Sequence, residues 1–260
     1  MSLLSFPHLT SRVWTVWSRN RDVFLKTFRV NFLPPLVEPI LYLLALGFGL
    51  GTYIETVDGM PYAEFLAPAL VAISIMYSGF FETTYGSYVR MYYQKSFDAI
   101  IATPISIEEV IAGEILWGAT RSLINATIML PVLLVFGVVD LPSSLLIVPF
   151  SFFGGFLFAT IGMCFTAITP HIDTLNLPTF LFITPMFLFS GTFFPLSLLP
   201  QALQYIALAV LPLAHVVIVS RALATGQFSL LAGGSFLWIC FWSLVLFVLA
   251  INLMRRRLII

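Results

Sequence analysis

Long apolar runs, divided by short polar or proline-bearing breaks, fill most of the chain. They lie near residues 32–52, 63–89, 114–137, 144–168, 177–195 and 234–254. The breaks run from Glu55 to Pro61, Arg90 to Pro104, Asp140 to Pro142 and Thr169 to Asn176. A bilayer core offers backbone polar groups no partner, so an apolar run of about 20 residues reads as a spanning helix. The pattern predicts an all-α membrane protein with six transmembrane helices in a single domain over residues 1–260.

Two further segments are amphipathic. In residues 8–29, Trp14, Trp17, Phe24 and Phe28 share one helix face, and Arg12, Arg19, Lys26 and Arg29 flank it. That pattern predicts an N-terminal interfacial helix on the inner membrane surface, basic side toward lipid phosphates, and fits a simple anchor equally well. Residues 196–233 are too polar and proline-broken for a full span, yet Leu203, Ile206, Ala207 and Val210 recur at helical spacing. An outer helical segment over 196–215, lying in or dipping into the outer leaflet, fits better than a loop. An interfacial helix without a role would look the same.

The break after the second run predicts a short helix of about two turns from Gln94 to Ala102. Ser96 is placed to cap it, and Asp98 sits in its first turn. Phe97, Ile100 and Ile101 fall at i, i+3 and i+4 as an apolar knob. Thr103-Pro104 ends the helix, because the residue before proline avoids the helical region. Ser106-Ile107-Glu108-Glu109 is a capping box that starts the next helix at once. Such an element suits transmission of a push from a soluble partner, and suits an amphipathic turn resting on lipid as well.

Composition and charge sharpen this picture. Of 260 residues, 60% are hydrophobic and 9% charged, where a soluble domain carries roughly 25% charged residues. Twelve basic and twelve acidic residues balance, so nothing points to nucleic acid. With the N-terminus inside, inner segments hold Arg12, Arg19, Arg21, Lys26, Arg29, Arg90, Lys95, Arg255, Arg256 and Arg257, against Arg221 outside. That bias requires an even number of spans with both termini cytoplasmic. Residues 1–31 lack a sustained apolar stretch, so a cleavable signal peptide is not expected. Cys164 and Cys240 both sit in apolar runs and read as packing residues.

Ionisable residues inside spans cost about 2.5–3.5 kcal/mol on insertion scales, so they face partners or cavities. Glu38, Glu82 and Arg121 stand out. Glu114, Gly118, Arg121 and Asn125 form one stripe, and Ser74, Ser78, Glu82 and Tyr85 another. The stripes predict a Glu82–Arg121 pair, structural rather than in a substrate path, whose exchange would be partly rescuing. Glu38, between Pro35 and Pro39, reads as snorkelling. Gly47 and Gly51 have a spacing that permits close helix approach. His171 and Asp173 lack further ligands at metal spacing. No Gly-Lys dipeptide exists, so no phosphate loop can be present, and no zinc-helix or nucleophile-elbow motif appears.

Several stretches resemble a known family: Glu38-Pro39-Ile40-Leu41-Tyr42 leading into Gly47 to Gly51, Phe81-Glu82-Thr83-Thr84-Tyr85, and Thr103-Pro104 followed by Gly113-Glu114-Ile115-Leu116-Trp117. Thr184-Pro185-Met186-Phe187-Leu188-Phe189-Ser190-Gly191 to Phe194-Pro195, and Leu211-Pro212-Leu213-Ala214-His215, continue the match. In order and content the chain resembles the membrane subunits of ABC-2 type exporters, nearest to the nodulation-type lipo-chitooligosaccharide exporter permeases. The resemblance implies that fold, with an interfacial helix, six spans and a re-entrant outer segment before the last span. It implies a bacterial inner-membrane permease that pairs with a second copy and with ATP-binding subunits, and exports a lipid-like or amphiphilic substrate. ATP and magnesium would sit on the partner ATPase, with no cofactor on this chain. The coupling helix would be Lys95, Ser96, Phe97, Asp98, Ala99, Ile100, Ile101 and onward to Thr103. A stand-alone secondary transporter or channel is the competing reading, and a lipid-modifying membrane enzyme a third without a catalytic constellation.

Overall fold

A computed structural model describes residues 7–54 and 56–258; Glu55, the start of the first polar break, lies outside the described residues. Six apolar helices long enough to span a bilayer are present among them: α2 (Phe28–Thr52), α3 (Tyr62–Tyr93), α5 (Ile107–Val135), α6 (Ser143–Ile168), α7 (Ile172–Phe189) and α10 (Leu230–Leu258). The remaining helices are α1 (Val13–Lys26), α4 (Ser96–Ile101), α8 (Gln201–Val210) and α9 (Pro212–Thr225). A two-residue ribbon pairs Thr56 with Pro61 and Val57 with Met60 around Asp58-Gly59, both at positive φ. That dipeptide supplies the left-handed pair a tight hairpin needs.

The helices overrun the apolar runs where polar residues find partners. α5 starts at Ile107, because Ser106 and Glu109 close the expected capping box: Glu109 N–H donates to Ser106 Oγ at 3.2 Å and Ser106 N–H to Glu109 Oε2 at 2.8 Å. α3 continues through π-helical turns at Glu82–Gly86 and Val89–Tyr93. Lys95, left-handed at φ 49°, then reverses the chain into α4 and occupies its cap position. Ser96 is therefore inside the helix and does not cap it, correcting the assignment made from sequence.

α3 is the central helix: 72% of its most apolar stretch is buried, against 22% for α2 and for α7. It packs on α5, α6 and α9 through glycines that let backbones meet. A Cβ at Gly79 would stand 2.6 Å from the Gly155 carbonyl oxygen, and one at Gly162 would stand 2.8 Å from that of Phe80. The Gly47 and Gly51 spacing makes no comparable approach, since a Cβ there meets only ordinary contacts of 3.4 Å and beyond.

Two amphipathic expectations need correction. α1 does not present its aromatic residues as one free face. Val13, Val16, Asn20 and Phe24 form its buried stripe, and a Cβ at Gly113 of α5 would lie 2.6 Å from Val16 Cβ. Trp17 and Phe24 turn inward onto Trp117, with ring centroids 6.2 and 5.6 Å apart, while Trp14 remains 59% exposed.

The outer segment is longer than 196–215. α8 turns through 90° into α9, which runs back into the core to Thr225. Pro212 explains the corner: the residue before it, Leu211, is held extended, and proline is favoured in a first helical turn. Gly226 closes α9 in a left-handed cap. Arg221, an outer-segment residue by sequence, sits on this returning arm.

Candidate functional site: a buried ion chain beside a short surface helix

Glu114 is the only fully buried acid among the described residues, so its charge requires partners. It has them. Asn20 Nδ2 donates to it at 2.8 Å, Ser87 Oγ at 2.7 Å and Arg90 Nε at 2.8 Å, with Arg90 Nη2 also 2.6 Å away. Arg90 Nη1 then donates to Glu82 Oε1 at 2.8 Å. The same Glu82 oxygen accepts from Trp117 Nε1 at 3.1 Å. Arg121 completes the line: its Nε lies 3.6 Å from Glu82 Oε2, its Nη1 donates to Asn31 Oδ1 at 3.1 Å, and its guanidinium sits 4.7 Å over the Phe24 ring. Carboxylates and guanidiniums thus alternate from Glu114 through Arg90 and Glu82 to Arg121, two of each. α1, α2, α3 and α5 all contribute side chains.

Arg90 is the residue that reading the sequence misplaced. The apolar run ends at residue 89 and places Arg90 in the polar break that follows, but α3 carries it inward as the hub between both acids. The Glu82–Arg121 contact exists only as the longer and non-hydrogen-bonded arm of the chain. Gly118 leaves the polar stripe, facing Ala159 and Thr83. Asn125 donates to Ser78 Oγ, and Tyr85 Oη to Asn176 Oδ1 at 2.8 Å. Asn20 and Ser87 carry no sequence signal, and the basic flank that includes Arg19 does not point to Ser96, since each partner depends on which helix lies opposite.

Below the chain lies α4. Phe97 is fully buried in a cluster with Tyr88, Ile111 and Ile115, and Ile100 and Ile101 are half-buried. The apolar knob therefore points into this protein and anchors the helix. Lys95, Asp98, Ala99, Ala102 and Thr103 are the exposed surface, beside Tyr92 and Tyr93. α1 is strapped along this element: Arg19 Nη2 donates to Ser96 Oγ at 2.8 Å, and Arg12 Nη1 to the Pro104 carbonyl. His8 N–H and Arg255 both reach Glu108, at 2.6 and 3.0 Å.

At the other end, His215 holds the α8–α9 corner. Its Nε2 lies 2.8 Å from the Leu208 carbonyl oxygen, which can only accept, so Nε2 carries the proton and Nδ1 accepts from Ser235 Oγ at 3.1 Å. The ring stacks on Trp238 at 4.1 Å. Among the described residues, no group of three or more His, Cys, Asp or Glu is gathered for a metal, and Cys164 and Cys240 are free thiols.

Six apolar helices, a strapped surface helix beside a buried ion chain and a bent helical pair before the last span define a multi-pass membrane protein. The family model for the ABC-2 type transporter matches residues 11–225, and the chain belongs to that family. It is 35% identical over 247 residues to nodulation protein J of Sinorhizobium fredii (strain NBRC 101917 / NGR234), covering 94% of this chain and 93% of the relative. With nodulation protein J of Rhizobium meliloti (strain 1021) the identity is 35% over 243 residues, covering 94% and 92%. The inner membrane transport permease YadH of Escherichia coli (strain K12) is 23% identical over 191 residues, covering 73% and 74%.

Proposed function

We propose that this chain is the membrane half of an ATP-driven exporter in a bacterial inner membrane, with both termini cytoplasmic. A separate ATP-binding subunit docks on the surface of Lys95 to Thr103, and a second copy of the permease completes the pathway. The cargo is a lipid-like or amphiphilic molecule moved outward. ATP and magnesium belong to the partner.

The observation that carries this reading is the build of α4. A helix of six residues has too few internal hydrogen bonds to persist alone. Here it is pinned by Phe97 from inside and by Arg19 from the side, while its outer surface bears no bulky apolar residue apart from the neighbouring Tyr92 and Tyr93. Displacement of that surface is delivered to α1, α3 and α5 together. A stand-alone transporter has no use for such a rigid exposed platform.

The test is co-purification with the co-encoded ATPase, followed by ATP hydrolysis in lipid. Asp98→Arg and Ala99→Trp alter the exposed surface alone, so both should weaken the complex and its ATPase activity while the permease stays folded. Unchanged association in both variants would remove α4 as the docking site. No association of the unmodified chain with any such ATPase would favour the stand-alone transporter.

A further inference from the structure

A polar cavity of about 180 Å³ opens beside the ion chain, between α1, α3 and α5. Its charged wall is three arginines, Arg19, Arg90 and Arg121, against one carboxylate, Glu82. Arg90 is consumed by Glu82 and Glu114. Arg121 is not: its buried Nε has no hydrogen-bond acceptor, and the nearest carboxylate oxygen is 3.6 Å away. Within this first cavity, and counting Glu114 behind the wall, three guanidiniums face two carboxylates, leaving one positive charge over. A cavity walled by three guanidiniums, one of them without a close carboxylate partner, suits an anion.

The cavity's other side says what carries that anion. A second cavity of about 260 Å³ shares Asn31 and Arg121 with the first and rises along α2, where Glu38 lines it; an anion therefore belongs in the first cavity and only its apolar tail toward the second. Val23 borders the first cavity and Val30 the second, 54% and 76% exposed, and Leu33 beside them is 58% exposed. Val23 and Val30 flank Thr27, where α1 turns into the first span, and an α1 lying on the inner membrane surface would bring this turn to the lipid headgroups. A free anion would gain nothing from that apolar lip, whereas an acyl chain would lie along it.

We infer that this cavity is a binding site for the anionic headgroup of a membrane amphiphile, a phosphate or similar group held by Arg19 and Arg121 with its acyl chain against Val23, Val30 and Leu33. The site stands on its own geometry whether or not an ATPase docks on α4. Because Arg19 also bonds Ser96, headgroup occupancy and the position of α4 share a residue.

The full-length chain, purified and stripped of lipid, is offered vesicles of phosphatidylcholine alone or of phosphatidylcholine with phosphatidylglycerol in equal parts, and bound lipid is counted by native mass spectrometry. The unmodified chain should retain phosphatidylglycerol in preference to phosphatidylcholine. Arg19→Gln should reduce that preference about tenfold, the equivalent of one charge-assisted contact. Arg21→Gln, the same charge change on the same helix but outside the cavity, should leave it within about twofold. Quenching of Trp117, which lines the cavity, by brominated phosphatidylglycerol over brominated phosphatidylcholine gives a readout without any charge substitution. Equal retention of the two lipids, or an equal effect of the two substitutions, would overturn the assignment. Displacement of the bound lipid by excess inorganic phosphate would also overturn it, since the ligand would then be a free anion.

Discussion

The two ends of the bundle each bury a cation, and they treat it differently. At the α1 end, Arg90 is held between two carboxylates that are themselves hydrogen-bonded to Asn20, Ser87 and Trp117. At the hairpin end, Arg221 has no acid within ion-pair distance among the described residues. Its Nη2 donates to the carbonyl oxygens of Phe65 and Gly191 at 3.3 and 3.1 Å, and its guanidinium lies 3.9 Å over the Phe65 ring. A buried ion chain resists any change that removes one member, because the remaining charge is stranded. Carbonyl and ring contacts can be remade elsewhere along a sliding helix. The contrast predicts that the α1 end moves as a block and that the α8–α9 hairpin is the part that shifts.

The sharpest way to break the comparison is Glu114→Gln. It strands Arg90 beside a single acid and should cost about 3–5 kcal/mol, seen as loss of monodisperse protein in detergent. Removing both members, as Glu114→Leu with Arg90→Met, should be milder than either change alone. The Glu82/Arg121 exchange is expected to fail as a rescue, contrary to expectation from the sequence, because an arginine at 82 would face Arg90. Recovery in that exchange would show that Arg90 is not the hub. Phe97→Ala should cost about 3–5 kcal/mol as a large-to-small change in the core, whereas Asp98→Ala should leave thermal stability unaltered.

Next in size is Gly113→Val, which pushes α1 off α5 and should cost about 1–3 kcal/mol by overpacking. Protease cleavage near residues 8–29 would report it. At the hairpin end, His215→Ala leaves the Leu208 carbonyl without its donor and should cost about 1 kcal/mol. If hairpin mobility matters, it should alter transport more than unfolding temperature; the reverse would make the corner merely structural. The smallest effect is at Lys95, where φ is 49°. Lys95→Gly should stabilise by up to about 1 kcal/mol, and Lys95→Val should destabilise, because a β-branched residue resists the left-handed conformation.

The long-range order of this protein was legible from residue types because the bilayer imposes it. Backbone groups that must be satisfied internally force helices wherever apolar runs are long enough. Local chemistry is equally direct at Ser106 and Glu109, which cap α5 through contacts three residues apart; the corner at Leu211-Pro212 is not, since the apolar spacing of Leu203 to Val210 reads on into one segment over 196–215. What only the tertiary structure decided are the pairings between helices. Arg90 became a core residue because Glu82 and Glu114 came to lie on either side of it. Phe97 turned inward because α5 offered Ile111 and Ile115, and α9 entered the core because Gly191 and Phe65 presented carbonyls to Arg221. Periodicity specifies which face of a helix is polar, but the partner on that face is chosen by packing across the sequence, where glycines such as Gly79 and Gly162 set how closely helices approach.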